Sequence, residues 1–325
     1  MKKKKKILTW VVVLTLILSL AGCGNKNQTE DTQNTQKAVK EETTENKKTE
    51  MPTTDRSGNK ITIPETVDSI ISLAPSITET VIALGCGDKL TAVDTNSVGR
   101  EGVSEELPAF DLMNPDVEKL AELHPDLILV SGISLVDGKD PFKPLTDMGI
   151  CIVCIPTSES IQGIKEDIEF LGQILKKEEK SDALILEMES EIEKIAAIGK
   201  TITDKKSVYF EIAAAPYMYS CGSGVYLNEM MDLIGAKNVF AQEKGWMSVE
   251  NEMAVNANPD VILTNVNYVE NPCDEILGRK GWEEITAIKN GEVYYIDNMS
   301  SSLPNQNIVK ALKEMAVAVY PELYK

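Results

Sequence analysis

Histidine is almost missing from this chain of 325 residues: His124 stands alone. A metal carrier needs several histidine, cysteine or carboxylate ligands brought together, and nothing in the spacing here supplies such a set. The sequence also lacks G-x-S-x-G, H-E-x-x-H and a phosphate-binding P-loop, which disfavours an enzyme. Positive charge is short as well, with 33 Lys and Arg against 51 Asp and Glu, a net charge of −18. A nucleic-acid binder needs a basic face, so that class is excluded. Aromatic residues make up only 5% of the chain. No apolar run reaches the ~18–20 residues that a permanent membrane span requires.

The longest apolar run, Ile7 to Leu20, follows the basic stretch Lys2 to Lys6 and precedes Leu20-Ala21-Gly22-Cys23. A basic start, a short apolar core and small residues are the signature of a cleaved targeting segment. Its end is similar to the lipobox of bacterial lipoproteins. Residues 1–22 are therefore expected to be a signal peptide and Cys23 a lipid anchor. Removing the five lysines takes the charge from −18 to about −23. From Asn25 to about Met51 the chain is rich in Asn, Gln, Thr, Glu and Lys. Such a stretch buries too little apolar surface to offset its ordering entropy, so residues 23–52 read as a disordered tether.

The remaining residues organise around Glu159 to Gly199. Apolar residues recur at Ile161, Ile164, Ile168, Leu171 and Leu175, on one helical face. The charged run Lys176 to Lys180 breaks the pattern, which resumes at Leu184, Met188, Ile192 and Ile195. A second helix over about Glu178 to Ile198 would span about 30 Å at ~1.5 Å per residue, with Gly199 as its stop. Strand and helix patterns alternate on both sides, which implies mainly parallel sheets. The expected fold is α/β: two lobes with mainly parallel sheets flanked by helices, at 53–158 and 200–325, joined by a single long inter-lobe helix within the connector 159–199. Ser76 with Glu79 reads as a capping box, Asn114-Pro115 and Ser248 as helix starts, and 94–113 and 213–225 as loops.

The chain has six cysteines, and lipidation of Cys23 would leave five, so complete pairing is impossible. Cys151 and Cys154 sit in a buried-strand composition and, three apart, point to opposite faces, which argues for core thiols rather than a redox pair. Cys221 and Cys273 are open to pairing or to staying free. His124 is placed at the buried start of a strand.

One segment recurs. Asn114 to Leu129 and Ser248 to Leu263 share a helix start, a glutamate four residues on (Glu118, Glu252), Pro-Asp seven after it, and then a strand.

Together with Ser72-Leu-Ala-Pro-Ser-Ile-Thr-Glu79 to Gly85, Leu227-Asn-Glu-Met to Gly235, and Gly245-Trp-Met-Ser-Val-Glu to Asp260, this set resembles the substrate-binding proteins of ABC importers for cobalamin, ferric siderophores and haem. The resemblance covers about Thr53 to Lys325. It implies two lobes with ligand in the cleft between them and tethering by lipid at the outer face of the membrane. It also implies a monomer without a cofactor, delivering a small molecule to an ABC permease dimer, with Glu118 and Glu252 as the permease-docking residues.

Ligands of open parallel sheets lie beyond the C-terminal strand ends. The loops there supply Pro75, Ser76, Ile77, Thr95, Asn96, Phe110, Gly132, Ile133, Tyr217, Tyr219, Gly222 and Trp246 as candidate ligand contacts. Trp246 matches a cobalamin-contacting Trp of the family the chain resembles. Such walls suit a large, flat, partly apolar ligand. Anionic siderophores call for Arg or Lys, which the loop 298–307 lacks; Arg100 and Lys139 are the candidates elsewhere. The balance favours a corrinoid, with a ferric siderophore or haem as the alternative and a surface adhesin as the remaining one.

Overall fold

The computed structural model describes residues 50–132 and 140–325. The leader, Cys23 and nearly all of the polar stretch lie outside the described residues, as do Ile133 and Lys139. Thr49–Lys325 forms one compact unit, and its two sheets define two lobes.

The first sheet is built from β1 (Ile70–Ser72), β2 (Leu90–Asp94), β3 (Ala109–Phe110), β4 (Leu127–Ser131) and β5 (Cys151–Ile155). Its order is β3-β2-β1-β4-β5, all parallel. Every residue of β1 and β4 is buried. That is the mark of strands covered on both faces, and it explains runs such as Leu127-Ile-Leu-Val130 without alternation. Helices α1 (Pro75–Ala83), α2 (Val117–Glu122) and α3 (Lys143–Asp147) provide the cover. Ile70, Val81, Leu84 and Leu129 pack on one face, and Ile71, Leu73, Leu120, Ile128 and Phe142 on the other.

The connector is α4 (Ile161–Ile174) followed by α5 (Glu178–Gly199). Ser160 caps α4, its Oγ accepting from Gly163 N at 2.9 Å. The apolar face of α4 is shared out along its length. Ile161, Ile164 and Ile168 belong to the core of the second lobe, and Phe170, Leu171 and Ile174 to that of the first. The chain reverses at Lys176, which takes a left-handed φ of 55°. The two helices then meet where Gly172 faces Ser181; a Cβ on Gly172 would lie 2.1 Å from Ser181 Oγ. Gly199 is not a left-handed stop. It is the last residue of α5, and its bare Cα lets Leu233 O approach to where a Cβ would be 2.1 Å away.

The second lobe holds β6 (Ser207–Glu211), β7 (Tyr219–Cys221), α6 (Tyr226–Leu233), β8 (Lys237–Asn238), β9 (Trp246–Ser248), α7 (Asn251–Ala257) and β10 (Val261–Thr264). Then follow α8 (Pro272–Leu277), α9 (Thr286–Asn290), β11 (Val293–Tyr295), α10 (Asn298–Ser302) and α11 (Ile308–Val319). The sheet order is β11-β10-β6-β8, all parallel, with β7 and β9 forming an antiparallel pair beside it. The architecture is the expected α/β pair of lobes with mainly parallel sheets and one long helix between them.

Several local expectations are corrected. The stretches 94–113 and 213–225 contain β3 and β7, and the loop 298–307 begins as α10. Helix α1 starts at Pro75 with no side-chain cap, so Ser76 and Glu79 form no capping box. Asp116, not Asn114, caps α2, accepting from Lys119 N at 3.1 Å. Ser248 ends β9, and α7 starts after Glu250. His124 is exposed at φ 49°, in the turn between α2 and β4 rather than at a buried strand start. Cys86, Cys151, Cys154, Cys221 and Cys273 are all free, which closes the question of a Cys221–Cys273 bridge. Cys151 and Cys154 enter opposite cores, and burial raises both thiols above their ordinary value.

Candidate functional site

In a parallel sheet all strands end on one side, and the two sheets turn these sides towards each other. The hydrogen bonds show it. Asn305 and Asn307, in the loop after α10, reach the first turns of α1, directly beyond β1. Asn305 Nδ2 donates to Glu79 Oε2 at 2.7 Å and Asn307 Nδ2 to the same oxygen at 2.9 Å. Gln306 Nε2 donates to Glu79 O at 3.4 Å, and its Oε1 lies 3.1 Å from Thr80 Oγ1. Beyond β2, Arg100 Nη2 lies 3.0 Å from Met299 Sδ of α10. The seam between the lobes therefore runs along the C-terminal strand ends.

The first lobe contributes Pro75 and Ser76, both half-buried, and the exposed Thr95 and Asn96. Ser76 and the buried Ile77 line a small cavity of about 20 Å³ with Ser131, Thr157 and Pro304, room for about one water. Ser131 Oγ is buried in it without a hydrogen-bond partner among the described residues. Gly132 is half-buried at the end of β4, with Pro156 nearby. Phe110 is a correction. At 8% exposure it packs against the sheet face of Ile71, Leu73 and Leu120, because β3 turns its ring inward, and it gives the cleft no surface.

On the second lobe Tyr217 stands out at 86% exposure and Tyr219 at 40%. Three further exposed residues, which periodicity did not single out, extend this rim: Tyr268, Tyr295 and Met299. Each lies at or just after the end of β10 or β11. A large apolar side chain at the end of a parallel strand, or within four residues of it, is the signal that points to them. Tyr268 Oη accepts from Ala214 N at 2.9 Å and so ties two rim loops together. Trp246 is half-buried. Its ring meets Tyr226 edge-on at 5.8 Å, and Tyr226 Oη donates to Ser301 O at 2.9 Å. Gly222 is a second correction. A Cβ there would lie 2.4 Å from Glu243 O, so the close approach of two backbones is what requires glycine at this buried position.

Among the described residues, Arg100 and Arg279 are both bonded to carboxylates. Arg100 Nη1 donates to Glu79 Oε1 at 2.6 Å and its Nε to Asn96 O at 2.7 Å. Beneath the Tyr217 loop, Arg279 donates to both oxygens of Glu211 at 2.7 and 2.9 Å, stacks over Trp282 and also bonds Glu275. Burial pushes the Glu211 carboxyl above its ordinary range, and the Arg279 bonds oppose that shift. Groups of three or more His, Cys, Asp or Glu able to hold a metal are absent among the described residues.

Glu118 and Glu252 are each the second residue of their helices, and both are exposed. The likeness between the segments extends to the backbone: His124 and Asn258, at equivalent places, are both left-handed. Ser131 and Asn265 are equivalent too, one at the end of β4 and one just past β10. Each carries a buried polar atom without a partner among the described residues, Ser131 Oγ and Asn265 Oδ1.

Residues 70–299 match the model of the periplasmic binding protein family. An uncharacterized ABC transporter substrate-binding lipoprotein of Bacillus subtilis, YvrC, is 33% identical over 327 residues, covering 99% of either chain. A vitamin B12-binding protein of Vibrio parahaemolyticus is 24% identical over 252 residues, 77% of this chain and 89% of that one. Among solved structures, a possible iron-binding (periplasmic solute-binding) protein of Staphylococcus epidermidis superposes with a TM-score of 0.70 at 29% identity, over 79% of this chain and all of that one. The chain belongs to the periplasmic binding protein family, the substrate-binding components of ABC transporters.

Proposed function

We propose that this protein is a lipid-anchored carrier at the outer face of the membrane, which binds a corrinoid between its lobes and delivers it to an ABC permease dimer. The carrying observation is the character of the seam. Tyr217, Tyr219, Tyr268, Tyr295 and Met299 present exposed apolar faces at the strand ends, while Arg100 and Arg279 are bonded to carboxylates. A broad ligand of low net charge, rich in amide and apolar surface, suits tyrosines that offer a ring and a hydroxyl together. The B12-binding relative supports this choice. The ligand lies in the open mouth between the rims, since the enclosed space at the seam is one water in size.

Thr95, Asn96, Pro75 and Ser76 form the opposite rim, and Trp246 supports the tyrosine rim from behind. Ile133 lies outside the described residues. Cys23 is the anchor, in keeping with the lipoprotein description of the Bacillus relative. Cys23→Ala then releases the protein or leaves it unprocessed.

The deciding experiment is calorimetry of the protein against cyanocobalamin, haem and a panel of ferric siderophores. Heat with cyanocobalamin alone is the expected result. Tight binding of an iron ligand without a cobalamin signal transfers the assignment to the iron-carrier reading, which the Staphylococcus likeness favours.

A further inference from the structure

Glu79 bonds partners from both lobes at the seam. Its Oε1 accepts from Arg100 of the first lobe, and its Oε2 accepts from Asn305 and Asn307 of the second. Both ionic partners are largely buried, Glu79 at 16% and Arg100 at 12% side-chain exposure. Arg100 is otherwise well placed to meet a ligand. It follows the exposed Thr95–Asn96 corner, and its second guanidinium nitrogen already reaches Met299 on the opposite rim.

We infer that Glu79 is a specificity-determining residue: it neutralises Arg100 and, through Asn305 and Asn307, locks the loop after α10, so that the cleft rejects anionic ligands. The argument is electrostatic. An arginine at a partly desolvated seam would attract a carboxylate or catecholate ligand through charge-assisted hydrogen bonds. With Glu79 holding it, the pair as a whole carries no net charge, and an incoming anion meets the Glu79 carboxylate beside the guanidinium. The two asparagine amides donate to Glu79 Oε2 from the second lobe, so they hold the carboxylate in place against Arg100. This inference rests on the cleft reading proposed above, though not on the corrinoid itself.

The test uses the full-length protein in detergent and its Glu79→Gln, Arg100→Gln and doubly substituted forms. The probes are neutral cyanocobalamin and a trianionic ferric tris-catecholate, titrated calorimetrically, with thermal melting to establish folding. Glu79→Gln keeps the shape; with its one carbonyl oxygen towards Asn305 and Asn307 it retains those contacts, while its amide nitrogen no longer accepts from Arg100, which frees the charge. It is expected to bind the anionic probe at least about tenfold more tightly than wild type, the scale of a charged hydrogen bond. Arg100→Gln is expected to show no such gain, and the double change to abolish it. A folded Glu79→Gln protein that gains nothing towards the anion overturns the inference. So does a wild-type protein that already binds the anion as tightly, or a gain that survives in the double variant. The cobalamin arm reads the ligand assignment separately: no cobalamin binding together with an Arg100-dependent gain for the anion removes the corrinoid and leaves the charge plug standing.

Discussion

Asp126 and Asp260 hold the two lobes' central strands in the same way. Asp126 Oδ2 accepts from Asp68 N at 2.8 Å and Ser69 N at 3.0 Å, where β1 begins. Asp260 Oδ2 accepts from Ser207 N at 2.8 Å and Ser207 Oγ at 2.7 Å, at the start of β6. In return Asp126 N donates to Ser69 O and Asp260 N to Ser207 O, both at 3.0 Å. The Pro-Asp pair of the internal repeat is thus a strand clamp. Removing either carboxylate leaves backbone donors with poorer partners. Asp126→Ala and Asp260→Ala should each lower stability by ~1.5–3 kcal/mol, the range for hydrogen bonds to charged groups. Denaturant titration measures the loss, and ligand affinity, read at the far ends of the strands, should stay unchanged.

Tyr217 and Trp246 separate binding from folding. Tyr217 is 86% exposed and packs into no core cluster, so Tyr217→Ala should leave the melting temperature as it is. If its ring covers the ligand, affinity should fall by ~1–3 kcal/mol, the scale of an interface aromatic. Trp246 shares a core with Tyr226, so Trp246→Ala should lower both the melting temperature and affinity. Equal affinities for wild type and Tyr217→Ala in calorimetry would remove the tyrosine rim from the site.

Arg279 and Glu211 set up a pH-dependent defect. Arg279→Met removes the partner of a carboxylate that is 1% exposed, which should cost ~3–5 kcal/mol at neutral pH. In the native protein burial already raises the Glu211 carboxyl, and losing Arg279 raises it further. A folded-state pKa above the unfolded one means that the penalty is absent at low pH, where both states are protonated. It grows as pH rises from the unfolded value to the folded one. The stability deficit of the variant against wild type should therefore shrink as pH falls from neutral towards the ordinary glutamate range. Thermal melts at stepped pH would show a constant deficit if Glu211 were not its source.

The elements with a long periodic signal were legible in the sequence, and those defined by distant partners were not. Ile161–Ile174 and Glu178–Gly199 stand where their apolar spacing puts them, because burial of one face is a local pattern. The short strands β3, β7 and β9 have two or three residues each, too few for any period, and exist through the neighbours they pair with. Glu79 shows the same limit in chemistry. Ser76-x-x-Glu79 has the spacing of a capping box, yet the glutamate's asparagine partners lie 226 and 228 residues away in sequence. Phe110 and Gly222 fall at the ligand end of the sheets, whereas the burial of Phe110 in a core and the approach of Glu243 to Gly222 are supplied by the fold alone.

The internal repeat also yields the docking prediction. Glu118 and Glu252 are the exposed second residues of α2 and α7, at equivalent positions of the repeat, one in each lobe. Lys119 pairs with Asp116, and among the described residues neither glutamate has an ion-pair partner. We propose that each meets an arginine on one half of a two-fold permease through a charge-assisted hydrogen bond. Separated charges at the surface interact little through salt water, where the Debye length is ~8 Å, so the pair costs the free protein almost nothing. Exposed pairs contribute ~0–1 kcal/mol, whereas pairs desolvated at an interface contribute several. Glu118→Ala and Glu252→Ala should each keep the melting temperature and ligand affinity of wild type while reducing uptake in cells, and the double change should reduce it further. Uptake at the wild-type rate by the double variant, with its own permease, would show that these are solvated helix charges with no part in docking.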